Sequence, residues 1–343
     1  MNYKEVFIMI NVAINGFGRI GRMVLRAGHK DKKINFVAIN DLTDTKTLAY
    51  LLQHDSVYGM FEDKVGFTDK ALVVGKKKIP VFAEKDPAKL PWKKLKIDVV
   101  VESTGFFTEP ETAKAHLAAG AKKVIISAPC KYKNGCPPNT KTIVVGVNEH
   151  SYNQKKHQII SNASCTTNCV APVLKIIQEH FGIKQCFFTT IHAYTATQKL
   201  VDGPDKKLRR CRAAAVNIIP ASTGADTATI EVLPELANKI KGNAFRVPVI
   251  DGSVTDFNIE TVKEVTVTKV NALLKKMAET KYKGILEYSE EDLVSTDIIQ
   301  NPHSSIVDGK LTETIGKNYL KLISWYDNEW GYSCRMVDLI KIV

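Results

Sequence analysis

The sequence predicts an α/β protein with a doubly wound parallel sheet over residues 1–164. An α+β domain on a mixed, largely antiparallel sheet is expected over residues 165–330. Three observations carry this reading. Short, almost uninterrupted apolar runs such as IDVVVES and KVIIS alternate with helix-like stretches through residue 164, as strands covered on both faces by crossover helices require. Beyond residue 181 the strands become longer and alternate apolar with polar residues, as in FNIETVKEVTV, so that only one face is covered. The length, 343 residues, suits two domains at ~150 residues each.

Taken in order, strands are expected over 10–15, 34–40, 97–102, 123–127, 143–147 and 158–161, where Val and Ile dominate. A first helix over 19–27 follows a glycine-rich turn, and a second over 165–181 is stopped by Gly182. The final stretch, 332–342, has helical period through Met336, Val337, Leu339 and Ile340, so a helix over about 331–343 is placed to pack back on the first domain. Repeats and low-complexity linkers are absent from the sequence.

The composition excludes several classes. With 44% hydrophobic and 24% charged residues, the chain is neither disordered nor collagen-like. It has no run near the ~18 apolar residues of a membrane span. A secretory signal over 6–14 is rejected, because cleavage after it would cut into the first strand unit. Seven cysteines, an odd number in a long chain, point to a reducing compartment, so a cytoplasmic location is expected. Lys+Arg number 48 against 36 Asp+Glu, giving a net charge of +12. Most of this charge lies in short solvated runs. The denser run Lys206-Lys207-Leu208-Arg209-Arg210-Cys211-Arg212 suits nucleic acid, an acidic partner or a phosphorylated substrate, with a plain solvated surface as the alternative.

In NVAINGFGRIGRMVLRAG, Gly16, Gly18 and Gly21 form G-x-G-x-x-G between a strand and a helix. Gly16 permits the tight turn, Gly18 lets backbone approach a pyrophosphate, Gly21 allows close helix-strand packing, and the helix start attracts negative charge. Asp41 stands 20 residues after Gly21, at the end of the next strand, where a carboxylate accepts from ribose hydroxyls and repels a 2′-phosphate. NAD is therefore favoured over NADP; a structural glycine turn beside a surface Asp is the alternative.

SNASCTTNC follows a strand and opens a helix. Cys165 at that helix start sits in positive potential, which stabilises a thiolate. An inert buried cysteine remains open here, as does a metal shared with Cys169, although no second Cys/His pair has finger-like spacing and no metal is expected. His192, at the end of the apolar strand in FFTTIHAYTATQ, can serve as a base beside Cys165 or be structural.

With INGFGRIGR, SNASCTTNC, HAYTATQ, NIIPASTGA, FRVPV and WYDNEWGYS in order, the chain resembles phosphorylating NAD-dependent glyceraldehyde-3-phosphate dehydrogenase over nearly its whole length. The resemblance implies a Rossmann domain, a catalytic domain and a homotetramer. It implies glycolytic conversion of glyceraldehyde 3-phosphate, with NAD and inorganic phosphate, to 1,3-bisphosphoglycerate. Cys165 would be the nucleophile and His192 its base. Ser164, Thr166, Thr195, Arg210, Thr223, Gly224 and Arg246 would hold the substrate phosphate and the attacking phosphate, for which arginine forks are suited. Phe17, Arg19 and Ile20 would complete the glycine loop. Thr104, Phe107 and Ser127 would lie on the adenosine side, and Asn328 and Tyr332 at the nicotinamide end.

Departures from the family pattern are few. The residues before Met9 read as an added leader, with Met9 a candidate initiator. The segment CKYKNGCPPNTK, 130–141, is longer than usual and reads as a surface turn rather than a disulfide loop. Lys85 stands where the family commonly has an arginine near adenine. Leu42 and LVDGPD lack the hydroxyl residues of NADP-using relatives. Erythrose-4-phosphate dehydrogenase, whose thioester is hydrolysed, is the nearest alternative activity. An RNA- or partner-binding role using the positive charge is the alternative from another class.

Overall fold

The computed structural model describes residues 9–133 and 135–343. The expected leader and Asn134 of the 130–141 segment therefore lie outside the described residues. The chain divides into two compact units: Met1–Ile143 with His150–Asn162 and Ser333–Val343, and Val144–Glu149 with Ala163–Tyr332.

In the first unit, the described residues form a sheet of nine strands. Their order is Val65–Thr68, Ala71–Val74, Lys77–Phe82, Ile34–Asn40, Ile10–Asn15, Val99–Glu102, Lys123–Ile126, Ile159–Ser161 and Thr140–Thr142. From Lys77–Phe82 onward every neighbouring pair is parallel. The first three strands form an antiparallel meander at one edge. Strand order reverses direction at Ile10–Asn15, which lies between Ile34–Asn40 and Val99–Glu102, so the crevice beyond its carboxyl end is the expected ligand position in a doubly wound sheet. Ala13, Val100 and Trp92 pack in the core on this sheet. A Cβ on Gly28 of helix Arg19–Gly28 would meet Phe36 and Val337 within 3.1–3.3 Å, so the terminal segment packs tightly within this unit.

The sheet of the second unit runs Ile219–Ala221, Ile240–Val247, Ile183–Ala193, Ser253–Thr261, Tyr319–Tyr326, Ser305–Asp308 and Leu286–Ser289, with Glu313–Ile315 also paired to Tyr319–Tyr326. It is mixed and mostly antiparallel. Ile183–Ala193 with Ile240–Val247 and Leu286–Ser289 with Ser305–Asp308 are the parallel pairs. Helix Cys165–Phe181 covers one face, its Val170, Val173, Leu174 and Ile177 packing in one core with Phe188, Phe257, Ile259 and Leu322. Strand Ser253–Thr261 alternates buried and half-buried residues, as the one-sided pattern predicted.

Three expectations need correction. Residues 143–147 form no strand. Gly146 turns the chain with φ +87°, Asn148 Oδ1 accepts from the Val144 N–H at 2.8 Å, and Val144 and Val147 enter the core of the second unit. This also places 144–149 and 163–164 outside the expected first domain. FNIETVKEVTV is not one strand, because pairing ends at Thr261 and Thr266 caps helix Val267–Glu279 by accepting from the Lys269 N–H. The meander over 65–82 was not anticipated. In the 130–141 segment, Cys130 is buried and Cys136 is exposed, with strand structure only from Thr140.

Candidate active site and cofactor cavity

The first unit places its glycine loop at the sheet's switch point. Gly16 has φ +90°, and a Cβ there would lie 2.6 Å from the Thr104 nitrogen. Gly21 is as tightly constrained, because a Cβ would lie 2.2 Å from the Gly16 carbonyl oxygen. Gly18 differs from both. It precedes helix Arg19–Gly28, is exposed, and a Cβ on it would meet nothing within 4 Å. This open side adjoins a cavity of about 490 Å³ whose lining includes Gly16, Gly18, Asp41, Lys85, Thr104 and Phe107. The structure thus brings these six expected residues together. Asp41 Oδ2 accepts from the Phe17 N–H at 2.7 Å and Oδ1 from the Thr43 N–H at 2.9 Å, which aims the carboxylate at the loop.

Other expected cofactor residues do not line the cavity. The Phe17 side chain is buried, Arg19 pairs with Asp55 and stacks on Tyr58, and Ile20 is half-buried on the helix. Gly21 acts through packing. Ser127 follows strand Lys123–Ile126, its N–H donating to the Glu102 carbonyl at 2.9 Å. Conversely, Asn15, Asn40, Glu84, Ser103 and Phe106 line the cavity without having been singled out. Asn15, Asn40 and Ser103 stand at strand ends, and that position was the available clue.

In the second unit, helix Cys165–Phe181 begins after Ala163, whose φ of +53° makes a sharp elbow. Tyr332 holds that elbow by donating to the Ala163 carbonyl at 3.1 Å. Ser164 is the N-cap, its Oγ accepting from the Thr167 N–H at 3.0 Å, so the Cys165 N–H at the helix start is directed outward. Cys165 Sγ lies 3.4 Å from His192 Nε2. His192 and Arg246 are register partners on adjacent parallel strands, which sets their side chains together. The Ala193 carbonyl accepts from His192 Nδ1 at 2.7 Å and from Arg246 Nη1 at 2.9 Å. Arg246 Nη1 also lies against Nδ1; with its proton directed to the Ala193 carbonyl, Nδ1 is assigned as protonated toward that same carbonyl and Nε2 presents its lone pair to the thiol.

Burial pushes the Cys165 thiol up, opposed first by the Arg246 charge and then by hydrogen bonds from Thr166. Burial thus opposes the stabilisation that the helix start gives a thiolate. Burial, then the Arg246 charge, lower His192 to about 3 against the Ala193 bond. Each ion alone is disfavoured. Proton transfer from Sγ to Nε2 creates both together, with Arg246 stabilising the sulfur charge.

Thr166 Oγ1 shares a hydrogen bond with the buried Tyr326 hydroxyl at 2.9 Å, beside the Cys165–His192 pair. Arg210 lines a cavity with Lys207, Ser222 and Asn243. The bonds of Thr195 and Thr223 are local: Thr195 pairs with Thr197 and Gln198, and Thr223 accepts from the Ala225 N–H behind Gly224. Asn328 is buried, accepting from Ser253 Oγ at 2.6 Å, while that same oxygen accepts from the Ala193 N–H. Tyr326 and Ser253 were missed by sequence reasoning, because only strand pairing brings them to the site.

Residues 10–110 match the family model for the glyceraldehyde 3-phosphate dehydrogenase NAD binding domain, and residues 164–328 match that for its C-terminal domain. The chain is 53% identical over 330 residues to the glyceraldehyde-3-phosphate dehydrogenase of Geobacillus stearothermophilus, covering 96% of this chain and 97% of the relative. It is 53% identical to glyceraldehyde-3-phosphate dehydrogenase 1 of Bacillus subtilis, with the same coverage. Identity to glyceraldehyde-3-phosphate dehydrogenase 2 of Streptomyces avermitilis is 50% over 335 residues, 97% of this chain and 98% of the relative.

Proposed function

Since the chain belongs to the glyceraldehyde-3-phosphate dehydrogenase family, we propose that it oxidises glyceraldehyde 3-phosphate with NAD and couples the oxidation to inorganic phosphate, yielding 1,3-bisphosphoglycerate. The observation that carries this is the 3.4 Å contact between Cys165 Sγ and His192 Nε2 at a helix start, with Arg246 against the imidazole. Gly16, Gly18, Asp41 and Thr104 would hold NAD, and the open side of Gly18 fits a pyrophosphate. Asn328 and Tyr332 are assigned to its nicotinamide end. When bound, NAD supplies the hydride acceptor.

The protein's own groups do the rest. Cys165 Sγ bonds to the aldehyde carbon as its proton leaves to His192. The adduct's oxygen lies near the Cys165 N–H, a donor worth about 2.7–4 kcal/mol in a comparable site. His192 returns its proton to that oxygen, giving a hemithioacetal hydroxyl, and takes it back as the C–H bond gives up hydride, leaving a thioester on Sγ. A phosphate oxygen attacks that carbonyl and Sγ departs. Ser164, Thr166, Thr195, Arg210, Thr223, Gly224 and Arg246 are assigned to the two anions, the arginines supplying charge-assisted bonds.

A homotetramer is part of the proposal. Leu200, Val201, Leu208, Val216 and Ile218, each more than 65% exposed within one loop region, support a covered surface there. A cytoplasmic site is supported by the odd number of cysteines, seven, spread over a long chain. Among the described residues no helix is long and apolar enough to cross a membrane. The test is NADH formation from glyceraldehyde 3-phosphate with and without phosphate. Strict phosphate dependence is expected, whereas equal rates without phosphate would transfer the chemistry to thioester hydrolysis.

A further inference from the structure

Beneath the cofactor cavity, the first unit buries a carboxylate that the proposed chemistry does not use. Glu102 ends the strand Val99–Glu102 and is 2% exposed. Its basic contact is His116, itself fully buried. The protonation of this pair follows from geometry. The Trp92 indole N–H donates to His116 Nδ1 at 3.0 Å. An indole nitrogen can only donate, so Nδ1 must carry the lone pair and Nε2 the proton. His116 Nε2 then donates to Glu102 Oε2 at 2.9 Å. Asn15 Nδ2 donates to the same oxygen at 2.6 Å. The other oxygen, Oε1, accepts from the Thr104 N–H at 2.9 Å and from the Thr104 hydroxyl. Two donors on each oxygen define an acceptor-only carboxylate facing a neutral imidazole.

These bonds reach the cavity wall. Asn15 and Thr104 line the cavity directly. Asn15 Oδ1 accepts from Asn40 Nδ2 at 2.7 Å, and Asn40 bonds the backbone of Glu84 through both its amide atoms. Phe107, another lining residue, sits edge-on to the His116 ring with centroids 6.3 Å apart. One buried carboxylate thus ties together the ends of three strands and the segment after a fourth, all at the crevice.

We propose that Glu102 is a positioning residue for the dinucleotide, holding Thr104 and Asn15 in their binding geometry before the cofactor arrives, with Trp92 and His116 fixing its orientation. The proposal rests on the cofactor reading of this cavity. It places the network's effect in cofactor affinity and not in the chemical step.

The test is calorimetric titration of the full-length protein with NAD, alongside steady-state rates at saturating NAD. Glu102→Gln replaces one acceptor oxygen by a donor that faces existing donors. Its NAD Kd is expected to rise about 10- to 100-fold, with kcat within about threefold of wild type. His116→Gln offers an acceptor to Trp92 and a donor to Glu102, so it is expected to keep wild-type affinity, whereas His116→Leu removes both and is expected to weaken binding as Glu102→Gln does. The His116 pair decides the matter if Glu102→Gln does not fold. Equal NAD affinity in wild type and Glu102→Gln, or equal loss in His116→Gln and His116→Leu, would overturn the proposal. Absence of NAD binding by the wild type would instead overturn the cofactor reading itself, and the proposal with it.

Discussion

Replacing Gly18 with alanine should abolish useful cofactor binding while leaving the fold intact. The backbone there has φ −72°, and a Cβ meets nothing within 4 Å, so alanine is sterically allowed. At the position before a helix, alanine costs about 0.5–1 kcal/mol relative to glycine. Reduced freedom of the unfolded chain returns about 0.4–1 kcal/mol, so the net change in stability is close to zero. The bound state behaves differently, because the new methyl occupies the side by which a pyrophosphate nears the helix start. Holding the phosphates back weakens two charge-assisted bonds of about 1.5–3 kcal/mol each, or about 3–6 kcal/mol together. That corresponds to a Kd about 10²–10⁴-fold higher. Gly21→Ala is the control: its Cβ would stand 2.2 Å from a backbone oxygen, and such overpacking costs about 1–3 kcal/mol, or about 2–12 °C in Tm. Titration with NAD and scanning calorimetry on both variants provide the comparison. A Gly18→Ala protein that binds NAD as the wild type does would refute the assignment of this loop to the pyrophosphate.

Further outcomes are expected elsewhere. His192→Asn should lower kcat by about 10²–10⁴-fold with NAD affinity unchanged, since it removes the only nitrogen base in contact with Sγ among the described residues; unaltered turnover in steady-state assays would remove His192 from the reaction. Asp55 gives a pH-dependent stability. Burial raises its pKa, but the N–H groups of Tyr58 and Val57 and the charge of Arg19 outweigh this and leave it below its ordinary 3.8. A depressed carboxylate stabilises the fold at neutral pH and loses that contribution as pH falls through its folded value. Asp55→Asn should therefore be about 1–3 kcal/mol less stable than wild type at neutral pH, with the gap closing below about pH 4. Urea unfolding at both pH values checks this, and a gap that stays constant would contradict it.

What the sequence disclosed depended on how local the cause was. The glycine loop and helix Cys165–Phe181 were legible because turn, cap and stop residues are contiguous: Gly16 to Gly21 in one case, Ser164 and Gly182 in the other. The place of Asp41 on the cavity wall was legible because it follows the glycine loop at a fixed spacing. By contrast, the run 143–147 is apolar whether it pairs in a sheet or turns into a neighbouring core, and periodicity cannot distinguish these. The Glu102 network joins positions 15, 92, 102, 104 and 116, and in VVVES the glutamate reads as the polar end of a strand. The resemblance implies an anion contact for Arg246, but its place against His192 comes from the register of two parallel strands. Burial, which pushes the Cys165 thiol up, is likewise a product of tertiary packing and opposes what the helix start alone suggests.

The central claim is that Cys165 carries the oxidised substrate as a thioester. It is tested most directly by mixing the protein with NAD and glyceraldehyde 3-phosphate in the absence of phosphate, quenching in acid, and locating the adduct by peptide mass spectrometry. A phosphoglyceroyl group on the peptide containing Cys165, lost when phosphate is added before the quench and absent in Cys165→Ser, is the predicted result. NADH formation with no adduct on Cys165, or with the adduct on another side chain, would contradict it.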